Sequence, residues 1–244
     1  MQTSLSIIIP ARNEEAYLPL LLKSIKIQTV QPTEIIVADA QSHDKTRKIA
    51  QKYGCIVVEG GNHPGIGRNK GAAVAKSSIL LFLDADVTLP DKYFLEETMK
   101  EFNSKDLSVA CCLAMITKGK TVDRLGIEFA NFYFVATEKF VKHGVGYCTF
   151  VWKSVHEQIG GYDEKIIVGE DIDYVTRASK LGKFRFLLSK KIIISLRRYE
   201  VEGRTKLFFK YLYTMVNLLF SRKIITGKIS YSFNHKYPKE NAKL

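Results

Sequence analysis

Residues 1–105 alternate short apolar runs with longer amphipathic stretches, and this alternation most strongly limits how the chain can fold. The apolar runs are SLSIIIP, EIIVAD, CIVVE and ILLFLD. Continuous runs of this length, rich in isoleucine and valine, are typical of strands that are buried on both faces of a sheet. Strands that alternate with helices predict a mostly parallel mixed sheet with helices on both faces. We therefore expect an α/β fold built on a single Rossmann-like domain.

Local signals place the predicted helices. Asn13 is positioned to cap a helix through EEAYLPLLLKSIKIQ, and Asp44 to cap one through DKTRKIAQKYG, which ends at a glycine. A short helix RNKGAAVAK follows the loop GGNHPGIG, and Pro90 opens another helix that runs to Phe102. The second half is less regular. There we predict strands over LSVACCLAM, YCTFVW and KKIIISL, an aromatic-rich helix over 123–143, and a helix over GEDIDYVTRASKLG.

The C-terminal part of the chain has a pattern of its own. We predict one domain over 1–200, with halves of about 1–105 and 106–200, and an amphipathic helix with a basic tail over 201–244. In KLFFKYLYTMVNLLFSRK a narrow polar stripe recurs at helical spacing on an otherwise apolar helix. Its apolar span is too short for a transmembrane helix, which needs about 20 apolar residues. Residues 204–223 could instead contact an anionic membrane surface, the domain itself or a second subunit.

Charge and cysteine content narrow the class of protein. The 244 residues carry a net charge of +12, which favours an anionic partner such as a nucleotide, a nucleic acid or an acidic lipid. No helix-turn-helix, zinc-finger or RNA-recognition pattern is present, so we do not expect nucleic-acid binding. The four cysteines form no CxxC pair, which indicates buried thiols in a reducing compartment. The sequence begins without a signal-peptide pattern, so we expect a cytoplasmic protein, either free or on the cytoplasmic face of the membrane.

Carboxylates follow two of the predicted strands where the chain leaves the sheet. The run LLFLDADV ends in Asp84 and Asp86, which share one face of an extended chain, and Asp39 ends the second strand. Ionised carboxylates side by side repel each other unless a cation lies between them. Ligands of parallel sheets bind beyond the carboxyl ends of the strands. The pattern therefore favours a divalent-cation site over a solvated acidic turn.

Several segments together resemble family 2 glycosyltransferases of the GT-A fold. The segments are IIIPARNEE, IIVADAQSHDKT, GRNKGAAVAKSSILLFLDADV, IGGYDE and GEDIDYVTRA, in this order and spacing. The resemblance spans residues 4–198. It implies a GT-A fold, a nucleotide-diphosphate sugar donor, a divalent metal ion, and transfer with inversion at the anomeric carbon. No QxxRW motif follows, so a processive polysaccharide synthase is not expected.

The resemblance implies roles for the strand-end carboxylates. Asp86 would bind the metal ion, Mg²⁺ or Mn²⁺, and Asp84 would lie near the ribose and the metal. Asp39 would accept a hydrogen bond from the base, which fits the ring N–H of uracil or guanine. We therefore expect a UDP- or GDP-sugar as the donor. The residues after Asp39 are Ala40 and Gln41, which departs from the glycine usual at this place in the family. A strand-end aspartate that only makes a turn is the alternative.

Two further segments would bind the donor by the same resemblance. Pro10, Ala11, Arg12 and Glu14 form the first loop, which would wrap the nucleoside. Glu14 could instead be a first-turn helix residue that favours the helix dipole. Arg68 in GRNKGA could reach the diphosphate or the sugar, and its alternative is a solvated arginine.

The EDID segment contains the residues that would act on the acceptor. The resemblance assigns the catalytic base to Asp171, with Glu170 beside it; burial and a neighbouring acid would raise the pKa of such a carboxylate. Asp173 is expected to be exposed on the helix, and Arg177 either orients the acids or braces the helix. The acceptor is open: a sugar or lipid-linked glycan hydroxyl needs this base, whereas an ionised lipid phosphate does not.

The remaining candidates have weaker assignments. Trp152 is either a core anchor or a stacking platform for an acceptor sugar, with the core reading favoured. Arg197 and Arg198 could close over the diphosphate or belong to the surface charge. The structural or surface reading is favoured for three histidines, His63, His143 and His156.

Two other functions remain as alternatives. DADVT also resembles the DxDxT nucleophile motif of haloacid dehalogenase-like phosphatases, although that motif normally lies on the first strand. A non-catalytic, membrane-associated nucleotide-sugar-binding protein would keep the fold without turnover. Intact acidic pairs in both DADV and GEDID argue against it.

Overall fold

A computed structural model of the chain describes residues 4–166, 169–207 and 209. The strands are β1 (Leu5–Ala11), β2 (Glu34–Asp39), β3 (Ile56–Glu59), β4 (Ile79–Leu83), β5 (Val87–Thr88), β6 (Leu107–Met115), β7 (Cys148–Trp152) and β8 (Lys183–Ile194). Over the described residues they form one sheet in the order β3-β2-β1-β4-β7-β6-β8-β5. The described helices are α1 (Leu18–Lys26), α2 (Thr46–Lys52), α3 (Pro64–Val74), α4 (Phe94–Ser104), α5 (Thr121–Thr137), α6 (Lys153–Gln158), α7 (Glu170–Ala178) and α8 (Arg197–Glu202).

The sheet is mixed and mostly parallel. Strands β1 to β4 pair in parallel, and β8 pairs in parallel with β6. Strand β7 runs antiparallel between β4 and β6, and the short β5 lies antiparallel on β8. This confirms the predicted α/β architecture with a mixed central sheet. The proposed division into halves at residue 105 stays a prediction.

Helices cover both faces of the sheet, which explains the continuous apolar runs. Every residue of β4 is fully buried. Leu81 packs into a cluster with α1, α2 and α4, whereas Leu80 and Phe82 pack into a cluster with α3 and α7 on the other face. Full burial of one such side chain contributes about 1.5–3 kcal/mol, so both faces of the strand must be apolar. The four cysteines are buried and free, as expected.

The starts of three helices differ from the prediction. Helix α1 begins at Leu18, so Asn13 is not its cap; Asn13 adopts a left-handed conformation with φ 57 and its Oδ1 accepts a hydrogen bond from His43 N. Helix α3 begins at Pro64, earlier than predicted, because proline suits a first helical position. Helix α4 begins at Phe94 rather than at Pro90.

Two other boundaries also need correction. Asp44 lies just before α2, and its Oδ1 accepts a hydrogen bond from Thr46 N at the first residue of that helix. It therefore stabilises the helix start from one position further out than a standard cap. Strand β8 begins at Lys183, earlier than predicted, and continues past a register shift against β6.

The predicted C-terminal helix and the predicted contact surface of 204–223 lie almost entirely outside the described residues. Within the part of the chain that is described, we find no helix with the length and apolar character needed to cross a bilayer.

Candidate active site

The carboxyl ends of the parallel strands meet at one edge of the sheet, where the predicted site residues gather. Ala11 at the end of β1 pairs with Asp39 at the end of β2. Asp84 directly follows β4, which pairs with β1 on its other side. Ligands of such sheets bind beyond these strand ends, so this edge is the candidate site.

Two glycines one turn apart bring α3 close to the sheet. A Cβ at Gly67 would lie 3.2 Å from Cβ of Pro10, and a Cβ at Gly71 would lie 2.5 Å from Cγ2 of Ile8. Larger side chains at these positions would push the helix away from β1. The close approach places Arg68, which is only 2% exposed, under the strand ends.

Arg68 joins the two acidic segments. Its Nη2 donates to Asp84 Oδ1 at 2.9 Å, and its Nη1 donates to Asp171 Oδ1 at 2.9 Å and to Glu170 Oε1 at 3.2 Å. Its guanidinium lies 5.1 Å from the ring centroid of Tyr162. The alternative of a solvated arginine is therefore wrong. One buried guanidinium is thus shared by Asp84 of DADV and by Glu170 and Asp171 of GEDID.

The environment of Asp171 favours its protonated form. Burial raises the pKa of Asp171 well above its ordinary value, and the carboxylates of Glu170 and Asp84 raise it further, while Arg68 opposes them. The first turn of α7 begins at Glu170, directly after Gly169 in a left-handed conformation with φ 83. This turn aims both acids at Arg68.

A second arginine holds the other half of the acidic site. Arg197, at the start of α8, donates from Nη1 and Nη2 to both carboxylate oxygens of Glu14 at 2.7 Å, and its Nε lies 2.8 Å from Asp86 Oδ2. Its guanidinium also lies 4.9 Å from the ring centroid of Tyr17. Arg197 is therefore not part of the surface charge, and its closure over a diphosphate stays a prediction. Glu14 precedes α1 and is not a first-turn helix residue.

Burial and crowding of acids shift the ionisation of this second cluster. Burial raises the pKa of Glu14 to about 7, although Arg197 acts in the opposite direction. Burial also raises the pKa of Asp86, with Asp84 adding to the shift and Arg197 again opposing it. The site is thus short of positive charge.

The donor set fits a hard divalent cation. Five carboxyl groups face two guanidinium groups across the two clusters. Arg68 donates to Oδ1 of Asp84, so Oδ2 of Asp84 is the oxygen that would bind a cation. Carboxylate oxygens are the ligands that Mg²⁺ and Mn²⁺ prefer. Within the described residues no three or more His, Cys, Asp or Glu side chains cluster as a metal centre would, so oxygens of a ligand would have to complete the coordination.

Asp39 and Arg12 carry buried polar atoms that lack partners among the described residues. Asp39 is 2% exposed; its Oδ1 accepts no hydrogen bond from the described residues, whereas its Oδ2 accepts one from Ser42 N at 3.4 Å and lies 3.9 Å from Nη1 of Arg47. Nε of Arg12 is likewise buried without a partner. Leaving such groups unsatisfied costs about 1–3 kcal/mol each, so their positions suit a ligand with complementary polar groups.

Gln41 has the backbone conformation that glycine usually adopts. Its φ is 55, in the left-handed region, two residues after Asp39. A residue other than glycine therefore adopts the left-handed conformation in this loop. The next residue, Ser42, donates from its backbone N to Asp39 Oδ2.

Other sequence candidates have structural roles. Asp173 is half-buried and ion-paired with Arg177 at 2.6 Å, so the expectation that it is exposed is wrong. Arg177 also donates to the carbonyls of Ile159 and Gly161, which braces the turn after α6. Trp152 donates from Nε1 to Leu107 O and belongs to the core, as favoured.

The three candidate histidines are buried and hydrogen-bonded within the protein. Nε2 of His63 lies 2.8 Å from Glu164 O, Nε2 of His143 lies 2.8 Å from Thr137 Oγ1, and Nδ1 of His156 lies 2.8 Å from Tyr174 Oη. This agrees with the structural reading.

The sequence interpretation missed the loop that closes the back of the site. The carbonyl of Gly146 accepts a hydrogen bond from Arg68 Nη2 at 3.2 Å. A Cβ at Gly146 would lie 2.5 Å from Asp171 Oδ2, and one at Gly144 would lie 1.9 Å from Asp171 O. The signal was the GVG sequence immediately before β7. Glycine is needed there because the loop passes against both Arg68 and the start of α7.

The comparisons with known proteins decide the family. The sequence model described as Glycosyl transferase family 2 matches residues 6–168. The chain belongs to this family. The match includes DADV but ends before Glu170 and Asp171, so the family model itself does not cover the acidic pair of α7.

Curated relatives in the family are longer than this chain. A 4,4'-diaponeurosporenoate glycosyltransferase from Staphylococcus haemolyticus is 39% identical over 107 residues, covering 41% of this chain and 28% of the relative. The O-antigen chain rhamnosyltransferase WbaN from Salmonella anatum is 32% identical over 173 residues, covering 64% of this chain and 54% of the relative. The chain thus matches about a quarter to a half of each relative's length.

A solved structure shows the same fold. The mannosyltransferase PcManGT from Pyrobaculum calidifontis, in complex with GDP-Man and Mn²⁺, superposes with a TM-score of 0.66. The superposition covers 87% of this chain and 65% of that chain at 17% sequence identity. The predicted GT-A fold is confirmed. Family membership argues against the phosphatase alternative. The position of DADV argues against it as well, because three strand-helix units precede this segment, whereas the phosphatase motif normally lies on the first strand.

Proposed function

We propose that this family 2 protein transfers a sugar from a nucleotide-diphosphate sugar to an acceptor, with metal assistance and inversion at the anomeric carbon. The observation that carries the proposal is the bridge made by Arg68 between Asp84 and Asp171. It supports the proposal because a transferase needs its donor-side and acceptor-side carboxylates at one point. A binding protein would need only the donor side.

The nucleoside end of the donor would bind where buried polar atoms lack partners. Oδ1 of Asp39 would accept the ring N–H of uracil or guanine, and Nε of Arg12 would donate to an oxygen of the donor. Pro10 and Ala11 lie at the end of β1 rather than in a loop, and this strand end would then lie against the nucleoside. Both uracil and guanine have a ring N–H that could donate to Asp39, so the first experiment must identify the nucleobase of the donor.

The diphosphate would lie over Asp84 and Asp86. Mg²⁺ or Mn²⁺ held by these carboxylates would neutralise the charge that develops on the leaving diphosphate. An excess of carboxylate over guanidinium in the two clusters supports this assignment, because a bare diphosphate would be repelled. PcManGT, which shares the fold, is solved with Mn²⁺.

Asp171 would act as the base for a hydroxyl acceptor. The proton of the acceptor hydroxyl passes to the Asp171 carboxylate and the acceptor oxygen bonds to the anomeric carbon. The bond between that carbon and the diphosphate oxygen breaks, and the nucleoside diphosphate leaves with the electron pair. Burial raises the pKa of Asp171, which makes its carboxylate a stronger proton acceptor once ionised. An acceptor phosphate would already be ionised and would not need this step.

The first experiment measures release of nucleoside diphosphate from UDP-, GDP- and TDP-sugars with Mn²⁺, with Mg²⁺ and with EDTA. We expect donors with one nucleobase to release nucleoside diphosphate, and only when metal is present. The rate of release should fall about a hundred-fold or more in Asp86→Asn. Asp39→Asn should weaken donor binding, whereas Asp171→Asn should abolish transfer to an acceptor and leave donor binding intact. Asp106→Asn, at a residue with a 94% exposed side chain, is the matched control.

Three results would contradict this function or parts of it. Release that persists in EDTA and in Asp86→Asn would refute metal assistance. Transfer by Asp171→Asn at the wild-type rate would refute the assignment of Asp171 as the catalytic base, or would indicate an acceptor that is already ionised. Tight, metal-dependent donor binding without release or transfer on any acceptor tried would favour the non-catalytic alternative.

A further inference from the structure

Helix α5 carries an exposed apolar stripe. Val122, Leu125, Phe129 and Phe132 recur at helical spacing, and their exposures are 63%, 65%, 65% and 71%. Phe140, just beyond the helix, is 77% exposed. Large apolar side chains are seldom grouped in this way on a protein surface unless another surface covers them. We call these five residues the α5 stripe.

The opposite face of α5 fixes the helix on the domain. Ile127 packs into a buried cluster with Ala114 and Ile116, against which Leu196 also packs. Asn131 is buried, accepts a hydrogen bond from the backbone N–H of Ala114 and donates to its carbonyl. The helix therefore cannot rotate to bury the α5 stripe without breaking these contacts.

The charges around the α5 stripe are basic. Each acid on this part of the chain is paired with a basic residue from elsewhere; the pairs are Asp123 with Arg204, Glu128 with Lys191, and Glu138 with Arg185. Exposed basic side chains occur along the same segment, namely Lys118, Lys120, Arg124 and Lys139. An apolar stripe with basic neighbours is typical of helices that lie in the headgroup region of an anionic bilayer.

We propose that the α5 stripe docks the protein on the surface of an anionic lipid bilayer. Charge complementarity favours this occupant over two others. A second copy of the chain would bring a like-charged surface to the same face, and residues 210–244 are themselves rich in lysine and arginine. The phenylalanines would enter the boundary between headgroups and acyl chains, and the basic residues would contact lipid phosphates.

Docking through α5 would also orient the candidate active site. The inner face of α5 packs near Tyr147 and Leu196. Tyr147 follows Gly146, whose carbonyl binds Arg68, and Leu196 precedes Arg197, which binds Glu14 and Asp86. The site would thus face an acceptor at the membrane surface. The docking itself is independent of turnover.

The test measures co-sedimentation of the full chain with vesicles of equal parts phosphatidylglycerol and phosphatidylcholine, and with pure phosphatidylcholine vesicles. We expect salt-sensitive binding to the anionic vesicles only. Phe129→Ser with Phe132→Ser should reduce it by about ten-fold or more, because the apolar contact is lost. The matched control is Ile27→Ser with Leu188→Ser, whose side chains are 62% and 58% exposed on other elements.

Each of four outcomes would overturn the proposal. The first is wild-type protein that sediments with neither kind of vesicle. The second is an α5 variant that sediments as well as the control, which would place lipid contact elsewhere in the chain. A concentration-dependent dimer that the α5 variant loses would assign the stripe to a second copy. A clear fall in melting temperature in that variant alone would show that the chain itself covers the stripe.

Discussion

Arg68 sets the charge balance of the candidate site through one buried side chain. It contacts Asp84, Glu170 and Asp171 and is itself 2% exposed. A buried ion pair adds little net stability when compared with apolar replacements, but removal of one partner leaves buried charges uncompensated. Residues Glu170 and Asp171 lie more than a hundred positions from Arg68 in sequence, so no local pattern indicated this pairing.

Arg68→Met should therefore lower the free energy of unfolding by about 3–5 kcal/mol at neutral pH. The loss should shrink on acidification, because protonation of the stranded carboxyl groups relieves their repulsion. Urea unfolding at pH 7 and pH 5 measures both effects. Lys183→Met is the matched control, since Lys183 is 64% exposed and pairs with the 94% exposed Asp106 at the surface. Equal stability of the two variants would show that Arg68 carries no structural charge.

At the scale of elements, most strands were predicted more accurately than helix starts, with β8 as the exception. Strand β6 spans Leu107–Met115, which is the whole of the predicted LSVACCLAM segment. A strand that is buried on both faces needs apolar residues at nearly every position, so its bounds are visible in the sequence. Helix α1 begins after the predicted cap because Asn13 bonds a different loop. Caps depend on such neighbours. A glycine in a helix is equally ambiguous in sequence, since it marks either close packing or a weak position.

Gly71 and Gly126 separate these two meanings of helical glycine. Gly71→Ala should lower the free energy of unfolding by about 1–3 kcal/mol, since its Cβ would lie 2.5 Å from Cγ2 of Ile8. Gly126→Ala should raise it by about 0.5–1 kcal/mol, because that position has no atom within 4 Å and alanine favours the helix. Thermal or urea unfolding of both variants tests the contrast. Two changes of the same sign would refute the close packing of α3.

For the whole molecule, buried histidines tie stability to pH. Burial lowers the pKa of His143 and of His156 to about 4, with nearby Lys142 and Arg177 respectively adding to the shift. Between that value and the ordinary pKa of about 6.5, the unfolded chain binds more protons than the folded chain. The histidine contribution is therefore complete above about pH 6.5 and is lost as pH falls towards 4. Raised pKa values at Glu14 and Asp171 act in the opposite direction.

His156→Asn isolates one part of this balance. The asparagine cannot titrate but can still contact the hydroxyl of Tyr174, which lies 2.8 Å from Nδ1 in the wild type. Between pH 7.5 and pH 5 the wild type should lose about 1–2 kcal/mol more of its unfolding free energy than the variant. Urea unfolding at the two pH values measures the difference. Parallel losses in both proteins would mean that His156 titrates normally in the fold.

The sequence by itself determined the strand-helix order, the burial of the central strands and the resemblance to family 2. These features are local or periodic, so residue spacing records them directly. Tertiary structure alone decided which cations face which carboxylates, as with Arg197 and Glu14, which lie 183 positions apart. It also decided which face of α5 remains exposed. The same pattern of carboxylates occurs in a sequence whether solvent hydrates them or a metal ion or an arginine neutralises them. Only the packing of the folded chain decides which of these partners lies within reach.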